Sequence, residues 1–168
     1  LPQAIGAQLA EPGRQVISMS GDGGLSMLMG ELLTLAAYNL PVTVVVFNNS
    51  TLGMVKLEML VDGLPDFGVD VPQANYAQIA TAMGMQGIRV EKPKDLESAF
   101  TTALAHQGPS VVEVITDPNA LSLPPTLTIE QLMGFSKAAT RTVLDGGVGQ
   151  MITMAKSNLR NIPRPQDF

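Results

Sequence analysis

The chain has 168 residues, 45% of them hydrophobic and 15% charged, with no cysteine and a net charge of −5. That is apolar material enough for one buried core, and it excludes a disordered chain, a disulfide framework and a thiolate metal site. The acidic balance, without any basic run interleaved with aromatics, argues against nucleic acid as a partner. No apolar run reaches the roughly 20 residues of a membrane-spanning helix, and no basic-then-apolar signal peptide opens the chain, so a cytoplasmic setting is the expectation.

In chain order, Leu1 to Ala10 reads as a helix closed by Glu11, Pro12 and Gly13, since the proline cannot continue it. Leu1 is not an initiator, and Leu1, Ile5 and Leu9 already hold a helical period; the sequence is expected to be a C-terminal piece of a longer polypeptide. Gln15 to Ser20 predicts a first strand. The glycine turn Gly21, Asp22, Gly23 and Gly24 follows, and apolar residues then recur at Leu25, Leu28, Met29, Leu32, Leu35 and Ala36. Ser26 is the expected N-cap of that helix, which should end near Asn39 before Pro41. Val42 to Phe47 is a continuous β-branched run, as in a strand buried on both faces of a parallel sheet.

Ser50 or Thr51 can cap a short helix through Met59, with Met54, Val55 and Glu58 on one face; Lys56 and Glu58 also suit a solvated surface. From Val61 to Pro72 an irregular loop is expected, of the kind that often covers a ligand edge. Asn75 opens a helix through about Met83, which Gly84 ends. Gly87 to Val90 predicts a strand, Lys94 to Ala105 a helix, and Val111 to Thr116 a further buried strand. The alternation implies an α/β fold, a parallel sheet with helices on both faces and right-handed crossovers. His106, the single histidine, falls at a helix end that favours it on electrostatic grounds, and needs no catalytic role. Met27, Met29, Met83 and Met85 read as core filler.

Beyond Asp117, Pro118, Pro124 and Pro125 mark an extended arm. Ile129 to Leu144 predicts a helix, and Gly146 to Gly149 a hinge. Val148, Met151, Ile152, Ala155 and Leu159 then form an apolar stripe beside Lys156, Arg160 and Arg164. The division expected is an α/β domain over residues 1–117, lacking its N-terminal part, and an arm with a helical tail over 118–168.

The chemistry concentrates between Gly21 and Gly53. The glycines let the backbone approach a ligand, and the start of the following helix offers N–H groups to an anion, so a phosphate suits the turn. Asn48, Asn49, Ser50 and Thr51 end the second strand, so two neighbouring strands would bring Asp22 and Asn49 to one sheet edge. A carboxylate and an amide oxygen suit a hard cation such as Mg²⁺, which commonly bridges to phosphates. Open α/β sheets bind ligands at that edge.

GDG, residues 24 to 47, then NN resembles the diphosphate-binding domain of thiamine diphosphate enzymes. Within that family GDGGLSMLMGEL, LPVTVVVFNNSTLG, GIRVEKP and GFSKAATRTVL look most like the bacterial pyruvate dehydrogenase (quinone), or pyruvate oxidase, branch. The resemblance implies that Asp22 and Asn49 bind the metal through side chains and Thr51 through its carbonyl. It also implies that Gly21, Gly23, Gly24 and Leu25 cradle the diphosphate, with Thr51, Leu52 and Gly53 along the cofactor, and that Met54, Val55 and Glu58 lie toward the reacting carbon. The cofactors implied are thiamine diphosphate and Mg²⁺, with FAD on a domain outside this chain. The activating glutamate would come from a neighbouring subunit of a homo-oligomer, expected to be a tetramer. The implied reaction is oxidative decarboxylation of pyruvate to acetate and CO₂ with a quinone as acceptor. The tail is a candidate for peripheral contact with the inner face of the cell membrane. Acetolactate synthase shares the same core, and a phosphate- or nucleotide-binding module without catalysis is the alternative from another class.

Overall fold

The computed structural model describes residues 1–120 and 128–158. Contacts divide it into two compact units, residues 1–50 with 72–116, and residues 51–71 with those from 117 on. The C-terminal part of the second unit begins at Asp117. Residues 51–71 in addition group with the C-terminal part.

The first unit is built on a four-stranded, all-parallel sheet in the order β1-β2-β4-β3, with β1 Val16–Gly21, β2 Val42–Asn48, β3 Gln86–Val90 and β4 Ser110–Ile115. The helices around it are α1 (Pro2–Ala10), α2 (Asp22–Ser26), α3 (Leu32–Ala37), α5 (Tyr76–Ala82) and α6 (Leu96–Ala105). One core cluster joins Val42, Val44, Val46 and Val111 to Ile5, Leu25, Leu32, Leu35, Tyr76 and Ala80, so α1, α2, α3 and α5 share a face of the sheet. Val112, the next residue of β4, points the other way and packs with Val90, Ala99 and Ala103, which puts α6 on the opposite face. The chain steps outward from β2 to β3 and back to β4, and a reversal of direction with right-handed crossovers requires this change of face. Leu25, Leu32 and Leu35 are at most 1% exposed, each contributing about 2 kcal/mol by leaving water.

Several expectations shift. The helix after the glycine turn begins at Asp22, with Gly21 as its N-cap, and breaks into α2, a 3₁₀ turn over Met29–Glu31, and α3. Ser26 is therefore no N-cap; its hydroxyl donates back to the Asp22 carbonyl at 2.8 Å. Met85 is buried and Met29 and Met83 pack on the core, but Met27, which the apolar period Leu25, Leu28, Met29 and Leu32 passes over, is 80% exposed at the end of α2. Asn75 caps α5, accepting from the Gln78 N–H at 2.9 Å, and Gly84 follows with φ +84, the left-handed turn that closes the helix. His106 is an exposed C-cap just past α6. Gly87 has a specific reason: a Cβ there would lie 1.9 Å from the Ala77 carbonyl oxygen, so it lets α5 lie directly on β3.

In the second unit α4 (Gly53–Val61), α7 (Ile129–Leu144) and α8 (Val148–Asn158) pack through Leu57, Leu60, Ala138 and Met154. Thr128 and Gln131 form a reciprocal capping box at the start of α7. The hinge expected over Gly146 to Gly149 is shorter: Gly146 (φ +91) makes the turn, while Val148 and Gly149 already belong to α8. Of the expected tail stripe, Val148, Ile152 and Ala155 are exposed, Met151 is half-buried, and Met154 and Asn158 form the buried side. Leu159, Arg160 and Arg164, like Pro124 and Pro125, lie outside the described residues. No described helix is long and apolar enough to cross a membrane.

Candidate functional site

Parallel register brings the ends of β1 and β2 to the same edge, Gly21 opposite Phe47 and Asn48 opposite Ile115 on β4. Asp22, the first residue past β1, is 3% exposed and begins α2. Both of its carboxylate oxygens are steered by backbone donors: Gly23 N–H donates to Oδ1 at 2.9 Å, and Ser50 N–H to Oδ2 at 2.7 Å. The second of these ties the GDG turn to the loop that follows the two asparagines. Tyr76 Oη, from α5, donates to the Asp22 carbonyl at 3.2 Å and lies 2.7 Å from Ser26 Oγ.

The two asparagines divide the work. Asn48 is buried and its side chain is occupied: Nδ2 donates to Glu113 at 2.7 Å and to the Ala74 carbonyl at 3.2 Å, while Oδ1 accepts from Ser50 N–H and Oγ. Asn49 is only half-buried. Ser50 has φ +54, a left-handed conformation uncommon for a residue with a Cβ, and the Asn48 and Asp22 bonds hold it there.

These residues fit a hard divalent cation. The Asp22 carboxylate offers about four lone-pair positions and spends two on N–H donors, leaving capacity for a metal. Among the described residues no group of three or more His, Cys, Asp or Glu side chains could hold an ion alone. A cation at Asp22 would need oxygens from elsewhere, the habit of Mg²⁺, which takes one or two protein ligands and completes its shell with phosphate and water. A Cβ at Gly21 or Gly24 would meet nothing within 4 Å, so open space adjoins the turn. The amides of Asp22, Gly23 and Gly24 lie in the first turn of α2, where no preceding turn supplies an acceptor, and Gly23 directs its own to Asp22 Oδ1.

The remaining predicted residues open the second unit. Thr51 is buried, its hydroxyl donating to the Val69 carbonyl at 3.1 Å. Leu52 (φ −76, ψ 70) forms an inverse γ-turn in which Gly53 N–H donates to the Thr51 carbonyl at 2.9 Å. Met54, Val55 and Glu58 share the exposed side of α4, whereas Lys56, Leu57 and Leu60 form its buried side. Lys56 thus departs from the surface role expected of it: it is 6% exposed and pairs with Asp66 at 3.3 Å, and Asp66 also accepts from Gln150. This ties α4, the loop after it and α8 together. Near the end of α8, hydrogen bonds from Ser157 and the Asn119 backbone hold the Asp117 carboxyl below the usual aspartate range.

Sequence reading missed Glu113. It is fully buried on β4 and accepts from Arg89 Nη1 at 2.8 Å, Asn48 Nδ2 at 2.7 Å and Ala77 N–H at 3.1 Å. The signal was available in SVVEVI, an acidic residue inside a strand otherwise fit for burial. Arg89 is held above its ordinary pKa, chiefly by its hydrogen bond to Glu91 and further by Glu113.

Comparison with known proteins shows the family of the chain. Residues 1–114 match the model of the thiamine pyrophosphate enzyme C-terminal TPP-binding domain. YdaP of Bacillus subtilis (strain 168), a protein whose name carries thiamine pyrophosphate, is 41% identical over 157 residues, 94% of this chain and 27% of that protein. A pyruvate oxidase of Lactiplantibacillus plantarum is 38% identical over 118 residues, 68% of this chain and 20% of its own length. An acetolactate synthase of Bacillus subtilis is 35% identical over 117 residues, 70% of this chain and 20% of that one. The solved thiamine diphosphate-dependent 4-hydroxybenzoylformate decarboxylase of Rhodococcus jostii RHA1 superposes with a TM-score of 0.65 at 36% identity, covering 70% of this chain and 22% of that one. The chain thus spans about a quarter or less of the length of these relatives. It belongs to the thiamine pyrophosphate enzymes, as their C-terminal TPP-binding domain.

Proposed function

We propose that the chain anchors thiamine diphosphate and Mg²⁺ in a pyruvate:quinone oxidoreductase that converts pyruvate, water and a quinone to acetate, CO₂ and the quinol. The observation that carries the anchoring role is the buried Asp22 carboxylate, fixed between Gly23 and Ser50 N–H groups with lone pairs to spare. Asp22 and Asn49 would be the side-chain ligands and Thr51 the carbonyl ligand, with the backbone of Gly21 to Leu25 toward the diphosphate and Leu52 and Gly53 beside it. Bound thiamine diphosphate supplies the carbon nucleophile and the electron sink for loss of CO₂ from a 2-oxo acid. Met54, Val55 and Glu58, which share the exposed side of α4, are the residues that the family resemblance offers for the substrate side, Glu58 as the proton-transfer candidate.

Similarity to the Lactiplantibacillus plantarum pyruvate oxidase supports the substrate. FAD, the activating glutamate and the partner subunits of a tetramer belong, on this reading, to polypeptide outside the chain. A cytoplasmic enzyme that reduces a lipid-dissolved quinone must reach the membrane, and exposed Val148, Ile152 and Ala155 on α8, with Lys156 beside them, are the proposed contact. Acetolactate synthase is the second reading, favoured by similarity to enzymes of that name. Product analysis of the full-length polypeptide with pyruvate, thiamine diphosphate, Mg²⁺, FAD and a soluble quinone separates them. Acetate with stoichiometric quinol is expected, and acetolactate without quinol would refute the oxidase reading.

A further inference from the structure

Behind the cation-facing residues lies a buried carboxylate that accepts from the first asparagine of the NN pair and from the start of α5. Glu113 pairs in register with Val46 on β2 and Arg89 on β3, so its side chain projects from the sheet face that α5 covers. Asn48, two residues beyond Val46, projects from the same face, which is why Nδ2 reaches Glu113 Oε1 at 2.7 Å. From there the path is short. Asn48 Oδ1 accepts from Ser50 N–H at 3.1 Å and Ser50 Oγ at 3.2 Å, and the same Ser50 N–H donates to Asp22 Oδ2 at 2.7 Å.

A second arm converges on the same residue. Glu113 Oε2 accepts from Ala77 N–H in the first turn of α5, and neighbouring Tyr76 donates through Oη to the Asp22 carbonyl. One fully buried side chain thus fixes the amide rotamer of Asn48, the left-handed Ser50 and the start of α5, and both arms end on Asp22. All the groups facing Glu113 are N–H donors, which a carboxylate accepts at both oxygens. A glutamine is nearly the same shape but would turn an NH₂ group against one of those donors. An ion pair with Arg89 alone would leave Asn48 and the Ala77 N–H unaccounted for, and both are bonded to the same carboxylate.

We propose that Glu113 is a positioning residue for the cation and diphosphate site, holding the NN loop and the GDG turn in binding geometry before the cofactor arrives. This rests on the family's cofactor-binding role for the chain. The test uses the full-length polypeptide, with Glu113→Gln and, from the other end of the link, Asn48→Ala. The control is Ser110→Ala, which removes a buried hydrogen bond to Thr43 on the opposite sheet face of the same strand pair. Two quantities are read: calorimetric affinity for thiamine diphosphate with Mg²⁺, and amide exchange of residues 22–25 and 48–51 without cofactor. Glu113→Gln should weaken Mg²⁺-dependent affinity by at least about tenfold, as loss of the group orienting a metal ligand does. It should also speed Ser50 amide exchange by a similar factor. Asn48→Ala should do the same, the double variant should add little more, and Ser110→Ala should lower Tm while leaving affinity within about twofold. Unaltered affinity in a folded Glu113→Gln or Asn48→Ala protein, with a loss of Tm like that of Ser110→Ala, overturns the positioning role alone. A wild-type polypeptide that binds no thiamine diphosphate overturns it together with the cofactor reading.

Discussion

Gly134 sits in the interior of α7, where replacement by alanine ordinarily stabilises a helix by about 1 kcal/mol. Here the sign should reverse. A Cβ at Gly134 would lie 1.7 Å from the Val61 carbonyl oxygen and 2.7 Å from its carbon. Those atoms are backbone at the end of α4 and cannot rotate away, so α4 and α7 would have to separate by about 1.5 Å to restore ordinary C···O contact. Separation loosens Leu57 and Leu60 against Ala138 and Met154, the buried centre of this unit. Overpacking of this kind costs up to about 3 kcal/mol, so after the gain in helix propensity Gly134→Ala should destabilise the unit by about 2 kcal/mol. The matched control is Gly6→Ala in α1, where a Cβ meets nothing within 4 Å and a small gain is expected. Urea titration read by amide exchange of residues 53–61 follows the second unit by itself. If Gly134→Ala proves as stable as wild type, the close packing of α4 on α7 is wrong.

Lys56→Met should cost about 2 kcal/mol by stranding Asp66, whose remaining partner is Gln150, and the double change with Asp66→Leu should recover most of it; simple additivity in urea unfolding would contradict a coupled pair. Tyr76→Phe removes the hydroxyl shared by the Asp22 carbonyl and Ser26, so a loss of about 1 kcal/mol and faster exchange of the amides of residues 22–26 are expected, and unchanged exchange counts against that tether. Asp117 is held below its ordinary 3.8, first by Ser157, so its stabilising contribution is complete above that value and disappears as pH falls through the depressed pKa. Ser157→Ala should therefore destabilise the second unit at pH 7 and converge with wild type at the acid end of a pH series of urea midpoints. A difference that stays constant across the whole acid series would contradict the assignment.

What was legible in the sequence was what local chemistry decides. The β-branched run from Val42, the Asn75 cap and the left-handed Gly84 each depend on neighbours within a few residues, and the structure places them as expected. Asp22 and the NN loop were legible because alternating strands and helices bring successive strand ends to one edge. Ser26 misled because a serine hydroxyl serves a cap or an i−4 carbonyl equally well, and only the rest of the turn decides. Lys56 and Glu113 were not legible in their roles. Whether a charged side chain is buried depends on partners elsewhere in the chain, Asp66 for the first, and Arg89 and Asn48 for the second. Met27 is exposed because it lies off the period of Leu25, Leu28, Met29 and Leu32, and apolar character alone did not make it core.

The central claim is that Asp22 and Asn49 hold a cation that bridges the chain to thiamine diphosphate. Calorimetric titration of thiamine diphosphate into the full-length polypeptide, with and without Mg²⁺, tests it directly in wild type, Asp22→Ala and Asn49→Ala. Wild type should bind only when Mg²⁺ is present, and each variant should lose that binding while its far-UV circular dichroism stays native. Mg²⁺-dependent affinity unchanged in either folded variant would contradict the account.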